Sequence, residues 1–368
     1  MRITQVKAVP YLKLQTTTPG WKMALSQKVH DEESITYIKI ATDRDLFGIG
    51  VTNPGLMVKT GDTTANILEL INNILGPSMV GADPFDLEAI NLTIDSLAGG
   101  AERAKAGIDV ALYDLMGKAL GIPVGKLIGG VVNERIRVTR LMGMYPPKEM
   151  AQKTAALVAQ GFTALKLKVG TTREEDVERV QRVRDAVGPG VMIALDFNQA
   201  CTPKEAIDRL NKMEPYDVAL VEQPVKETDI KGMALVRRCV RPLVMADESV
   251  NTPAQALLVI EAEAADIISL KIAKMGGILR TKKIAAICEA AEMDYLVGTS
   301  PGSRLFGAAN LHLASSLRNL SLPCEVGEFD RFVNEPCEAP VVKDGYAIAP
   351  LGPGLGLQLD LNEIGLAD

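Results

Sequence analysis

The sequence predicts an α/β protein in which a closed barrel of strand–helix units follows a smaller α+β unit. Three observations lead there. From about residue 135, short apolar strands alternate with amphipathic helices. Eight strand-like runs fit into roughly 190 residues, which suits a closed barrel. Several of those runs also end in a charged side chain, one strand–helix unit after another.

In chain order, residues 2–14 and 34–41 alternate apolar and polar side chains as strands do, and TDRDLFGIG supplies a turn into a third strand. Helical periodicity follows in TTANILELINNILGPSMVG, PFDLEAINLTIDSL and AERAKAGIDVALYDLMGKALG. The last is the clearest. Ala106, Ile108, Ala111, Leu112, Leu115 and Met116 form a broad apolar face, and Gly121 with Pro123 close behind marks its end. The barrel strands read IRVTRLMG, ALKLKVG, VMIALDFNQ, VALVEQP, LVMADES, DIISLKIAK, YLVGTS and a last short run near LPCEVGEF. REEDVERVQRVRDAVG and PKEAIDRLNKMEP are among the helices between them. No G-x-G-x-x-G follows the first strand, which argues against an open dinucleotide-binding sheet. The expected organisation is 1–130 as the N-terminal unit, 131–327 as the barrel, and 328–368 as a Gly- and Pro-rich segment returning to the N-terminal unit.

Composition narrows the function. The 368 residues are 47% hydrophobic and only 4% aromatic, so a large core must be built from Leu, Ile, Val, Ala and Met. A net charge of -6 with no basic face argues against a nucleic-acid partner. No run nears the ~18 apolar residues of a membrane span and the N-terminus lacks a signal-peptide pattern, so a cytoplasmic protein with no membrane partner is expected. Cys201, Cys239, Cys288, Cys324 and Cys337 lack C-x-x-C spacing and read as reduced thiols. His30 and His312 have no metal-ligand spacing, so a zinc site and a histidine base are both disfavoured. His30 reads as solvated and His312 as packed.

The charged strand ends carry the chemistry. Lys166 and Lys168 occupy ALKLK, Asp196 ends MIALD, Glu222 ends ALVE, Asp247 ends VMAD, and Lys271 ends IISLK. Barrel strands direct their C-terminal ends at one mouth. Any one such charge would ordinarily be solvated or salt-bridged. So many in one register would cost several kcal/mol each to bury unless a metal or partner compensates. Three carboxylates on adjacent strands make a hard, all-oxygen site suited to Mg²⁺. Period-two alternation puts Lys166 and Lys168 on one inward face. Lys271 approaches from the other side, leaving a metal between two opposed bases. Proximity to the cation and to each other would lower the amines towards a range useful for proton transfer.

These residues resemble the enolase superfamily, specifically the muconate cycloisomerase (muconate lactonizing) subgroup of the mandelate racemase/muconate lactonizing enzyme family. The matching stretches are ALKLKVG, LDFNQ, VEQP, MADES, SLKIAKMGG and AKAGIDVALYDLMGKALGIPVGKLIGG, so the resemblance covers essentially the whole chain. It implies a (β/α)7β modified TIM barrel with an α+β capping domain formed by the N-terminal third and the C-terminal tail. It also implies abstraction of a proton α to a carboxylate to give an enediolate. Cycloisomerisation, racemisation or epimerisation of a small carboxylic acid would follow, with β-elimination by a dehydratase or lyase as the alternative.

By position, Asp196, Glu222 and Asp247 would hold Mg²⁺, with Mn²⁺ as a substitute. Lys168 and Lys271 would be acid/base groups on opposite faces, and Lys166 would stabilise the enediolate and tune Lys168. Asn198 and Glu248 would support the ligands from behind, and Glu325 would approach the substrate carboxylate. Further substrate contacts are expected from Thr16 to Thr18, Trp21, Lys22, Met23, Lys28 and His30, from Asn53 to Met57, and from Ser300. That serine ends the strand on which mandelate-racemase-like members carry a histidine. A lone tryptophan such as Trp21 is more often a packing residue than a lid. Two stretches depart from the family pattern: GIGVTNPG lacks the usual acid after its glycine, and SPGSR replaces an apolar–acidic turn. Both loops should border the substrate. Homo-oligomers are common in the family. A Schiff-base aldolase would use one of the lysines but leave three acids without a role. A non-catalytic barrel predicts a missing lysine or acid, and none is missing.

Overall fold

A computed structural model of the chain describes residues 1–17, 21–24, 32–55, 60–299, 303–318 and 320–367. Strands β1 (Ile3–Thr16), β2 (Glu32–Thr42) and β3 (Phe47–Thr52) form an antiparallel sheet, as their alternation anticipates. Asp45, with φ of 52°, turns the chain between β2 and β3, and the Thr42 hydroxyl donates to the Leu46 carbonyl at 2.8 Å. The outer edge of β1 is covered in its middle by Asn72, on a π-helical turn over Leu70–Leu75. The Asn72 carboxamide accepts from the Ala8 N–H (2.7 Å) and donates to the Ala8 carbonyl (3.0 Å).

The Glu102–Leu120 helix ends where its stop signal lies, at Gly121 with φ of 69°. It packs on β3 at backbone distance because of two glycines. A Cβ on Gly48 would stand 2.1 Å from the Ala111 carbonyl oxygen, and one on Gly50 would stand 2.0 Å from that of Gly107. The GIG of the third strand is therefore a packing requirement as well as a turn exit.

Seven parallel strands form a curled sheet in strict chain order: β5 (Arg140–Met142), β6 (Ala164–Lys168), β7 (Met192–Asp196), β8 (Val218–Glu222), β9 (Leu243–Ala246), β10 (Ile267–Leu270) and β11 (Asp294–Val297). Apart from charged residues such as Lys166, Lys168, Asp196 and Glu222, these runs are largely apolar on both faces because helices cover the outside and the barrel interior takes the rest. All five residues of β6, both lysines included, are buried. The intervening helices start where their sequences say they should. Thr172, Thr202, Thr252 and Ser303 each accept an N–H from three residues on, and Pro203 and Pro253 occupy the first helical position.

Two strands differ from expectation. IRVTRLMG is not continuous: β4 (Ile136–Arg137) pairs antiparallel with β14 (Tyr346–Ile348), itself paired to β13 (Val341–Lys343), and only β5 joins the barrel. LPCEVGEF is not a strand at all. Cys324 bridges Val138, and three backbone hydrogen bonds of 2.8 Å close the ring: Thr139 N–H to Cys324, Cys324 N–H to Arg137, and Glu325 N–H to Val297. Pro323 has no N–H to extend that ladder, and the chain turns into a 3₁₀ segment at Glu328–Arg331. From there β12 (Phe332–Val333) returns to the end of β1, and the Leu366 carbonyl accepts from the Lys39 ammonium at 3.2 Å. Among the described residues no helix is long and apolar enough to cross a membrane.

His312 is packed, as read. The Gly125 N–H donates to its Nδ1 (3.2 Å), which leaves the proton on Nε2, facing the Leu355 carbonyl at 3.2 Å. Burial pushes its pKa down to about 4. The unfolded chain therefore takes up a proton on His312 before the folded one does. Stability from this group is complete above the ordinary pKa of 6.5 and is lost as pH falls from there towards about 4, on the order of 3 kcal/mol in all. Denaturant midpoints at pH 7.5 and pH 5 should differ more in the wild type than in His312→Asn, and equal differences would contradict this account.

Candidate active site at the barrel mouth

The strand register aligns the charged tips. Lys168, Asp196 and Glu222 are direct partners across β6, β7 and β8. Glu222 faces Met245 on β9, so Asp247 lies one pleat further towards the mouth. Lys271 follows the last residue of β10. The strand order therefore puts the acid-bearing tips of β7, β8 and β9 between Lys168 on one side and Lys271 on the other. All are buried, Glu222 and Asp196 most deeply at 0% and 1% exposure.

Each acid meets a lysine. Lys166 donates short hydrogen bonds to both Glu222 and Glu325 and stands 3.6 Å from Asp196. Lys168 donates to Asp196, and to the Asn198 side-chain carbonyl at 2.8 Å. Lys271 lies 2.7 Å from Asp247 and 3.2 Å from Glu222. Asn198 links this row to Glu248, donating at 3.2 Å, and its N–H donates to Asp196 at 2.9 Å.

Facing acids directly, Lys271 and Lys166 are held as ammonium groups. Burial pulls Lys271 down, but the Asp247 and Glu222 carboxylates outweigh it and hold the ammonium well above its ordinary value. Lys166 is raised in the same way, burial being overcome by Glu222, Glu325 and Asp196. Glu222 is itself pushed up, first by burial and then by Asp196.

Two participants were missed. Lys274 donates to the carbonyls of Asp247 and Val250, both at 2.5 Å, and lies 3.3 Å from the Asp247 carboxylate. Gln223 hydrogen-bonds the backbone of the Asp247 turn. Both stand inside motifs already marked by their charged neighbours. The signal that could have found them is a polar residue next to, or one helical turn beyond, a strand-end charge.

The cluster suits a divalent cation by its donor chemistry. Asp196, Glu222, Asp247, Glu248 and Glu325 are five carboxylates facing four ammonium groups, Lys166, Lys168, Lys271 and Lys274. Three of those acids end adjacent strands with hard oxygen donors, the set that Mg²⁺ prefers. Among the described residues no three acids stand together as a ready-made cage, because lysine ammonium groups lie between them. A cation would take over carboxylates that neutralise lysines.

Of the capping residues, Trp21 is 2% exposed and its ring lies against Gly143, just past β5. The Met144 N–H donates to the Lys22 carbonyl at 2.9 Å, and Ala24 lies against Gly170, two residues past Lys168. Met23 is buried. Arg103 donates to the Asn53 carbonyl at 3.1 Å and to its side chain. His30, Ser300, Lys28, Thr18 and Met57 lie outside the described residues.

Two family profiles match the chain: "Mandelate racemase / muconate lactonizing enzyme, N-terminal domain" over residues 12–129, and "Enolase C-terminal domain-like" over residues 149–364. The chain belongs to the mandelate racemase/muconate lactonizing enzyme family. As a member of the enolase superfamily it is an isomerase that abstracts a proton α to a carboxylate through an enediolate. It is 39% identical over 285 residues to a hydrophobic dipeptide epimerase of Enterococcus faecalis, covering 77% of this chain and 80% of that one. A crystal structure of the Enterococcus faecalis dipeptide epimerase, with Mg and L-Leu-L-Tyr, superposes with a TM-score of 0.92 at 32% identity, covering 97% of this chain and all of that one. The 2-chloromuconate cycloisomerase of Rhodococcus opacus superposes with a TM-score of 0.94 at 28% identity, covering 99% of both chains. Family membership removes the aldolase and non-catalytic alternatives.

Trp21 is the only tryptophan, so its emission reports on this seat alone. A Cβ on Gly143 would already lie 3.0 Å from the indole. Gly143→Val is expected to displace the ring, shift its emission to the red and raise KM severalfold. An unchanged spectrum would mean that the ring does not need the glycine.

Proposed function

We propose that this isomerase inverts the α-carbon of a small carboxylate by a two-base route, with dipeptides as the substrate class. The observation that carries the proposal is the pair Lys168 and Lys271, both buried, on strand tips that flank the three acid-bearing tips. One lysine would take the proton from one face of the α-carbon and the other would return a proton to the opposite face, so the configuration inverts. Asn198 orients Lys168 through its 2.8 Å contact, and Asp247 orients Lys271 through its 2.7 Å contact. Lys166, held as an ammonium by the acids around it, would keep a fixed positive charge under the developing enediolate.

Asp196, Glu222 and Asp247 would hold Mg²⁺, the ion that accompanies a dipeptide in the Enterococcus faecalis relative. When bound, the ion supplies positive charge opposite the substrate carboxylate. The dipeptide class is supported by the 39% identity to the Enterococcus faecalis enzyme named for it. Cycloisomerisation is the second reading. It is supported by the fit to the Rhodococcus opacus enzyme and needs only one lysine as base. Five unpaired cysteines, four of them buried, support a reducing compartment such as the cytoplasm.

The test is α-proton exchange in D₂O, followed by mass spectrometry, on both epimers of a hydrophobic dipeptide panel. Wild type with Mg²⁺ should exchange both epimers, and EDTA should stop it. Lys168→Ala and Lys271→Ala should each lose epimerisation by at least about 100-fold. Each should still wash deuterium into the one epimer whose proton faces the remaining lysine. A variant that exchanges both epimers at the wild-type rate would sink the two-base reading. Muconolactone turnover without dipeptide exchange would favour the cycloisomerase.

A further inference from the structure

We propose that Gln223 is a positioning residue that fixes Asp247 relative to Glu222, and so sets the affinity of the site for its divalent cation. The inference rests on the reading of Asp196, Glu222 and Asp247 as the ligands. Gln223 follows Glu222 directly and is fully buried. Its side-chain oxygen accepts from the N–H groups of Asp247 (3.0 Å) and Ser249 (3.2 Å). Its side-chain nitrogen donates to the Val225 carbonyl (3.0 Å) and the Ser249 hydroxyl (2.8 Å). Backbone N–H groups can only donate, so the orientation of this amide is determined by its surroundings. The main chain is used as well. The Gln223 N–H donates to Met245 (3.0 Å), and its carbonyl accepts from the Gln199 N–H (2.8 Å). One residue therefore ties the tips of β7, β8 and β9 together, and those tips carry the three acids.

The backbone gives an independent sign. Gln223 has φ of 36°, in the left-handed region that side-chain-bearing residues seldom adopt. Asn198 and Gln199, just past Asp196, share it with φ of 41° and 69°. Strained positions of this kind persist when the surroundings over-determine them, and they gather at functional sites. A hydrocarbon here would leave two buried N–H groups without their acceptor. Lys274 holds the same turn from the other side, at the Asp247 and Val250 carbonyls.

The experiment titrates Mn²⁺ into metal-stripped protein and reads binding by electron paramagnetic resonance, with thermal melting in parallel. Gln223→Met should raise the Mn²⁺ Kd at least tenfold while the protein remains folded at the assay temperature. Gln223→Glu keeps an oxygen facing the two N–H groups, and should bind Mn²⁺ within threefold of the wild type or more tightly. A Gln223→Met Kd within twofold of wild type overturns the proposal, even if its melting temperature falls, because the residue would then be structural only. If Gln223→Met does not fold, the Glu variant decides: retained affinity upholds the proposal and a tenfold loss overturns it. Failure of the wild type itself to bind Mn²⁺ would instead reject the ligand assignment on which the proposal stands.

Discussion

The Lys166 ammonium lies between Glu222 on β8 and Glu325 at the point where the barrel closes, and the rest of the interior is arranged around it. One buried cation links acids that approach from both sides of β6. Leaving either acid without its partner in so dry a setting would cost about 3–5 kcal/mol, far more than a surface ion pair is worth. With Lys166 neutralising the deeper layer, Lys168 and Lys271 sit slightly nearer solvent, at 6% and 8% exposure against 2%. The arrangement has two levels. A structural charge lies underneath, and the groups suited to moving protons lie above it.

Much of this was legible in the sequence because parallel strands write their geometry plainly. An apolar run ending in a charge means a buried strand whose tip reaches a shared mouth, and Lys168, Asp196, Glu222, Asp247 and Lys271 all followed that rule. What could not be read depends on partners far away in the chain. The eighth barrel position is held by three hydrogen bonds around Cys324, too few to leave a periodic pattern. IRVTRLMG looked like one strand because its two halves are equally apolar. They separate only because β14, some two hundred residues later, takes the first half. The pairing of Lys166 and Lys271 with acids from other strands could not be read for the same reason. Gln223 went unnoticed because a glutamine after a glutamate carries no charge to mark it.

Small residues permit close approach both inside the N-terminal unit and where it meets the barrel. Gly48 and Gly50 admit the Glu102–Leu120 helix, while Gly143 and Gly170 receive Trp21 and Ala24. Close approach of this kind makes the interface stiff, since added atoms have nowhere to go. The segment that contributes Trp21 to Ala24 is thereby held beside the strand tips bearing Lys168.

Asn72 has a meaning beyond the finished fold. By engaging both the N–H and the carbonyl of Ala8, its side chain imitates one residue of a neighbouring strand. The true neighbour on that side, β12, lies more than three hundred residues downstream of β1 and pairs only with Gln15 and Thr16. During synthesis on the ribosome the outer border of β1 would stay open long after the sheet could form, and open borders invite other chains to add on. A carboxamide encoded only 64 positions after Ala8 is available early enough to prevent this.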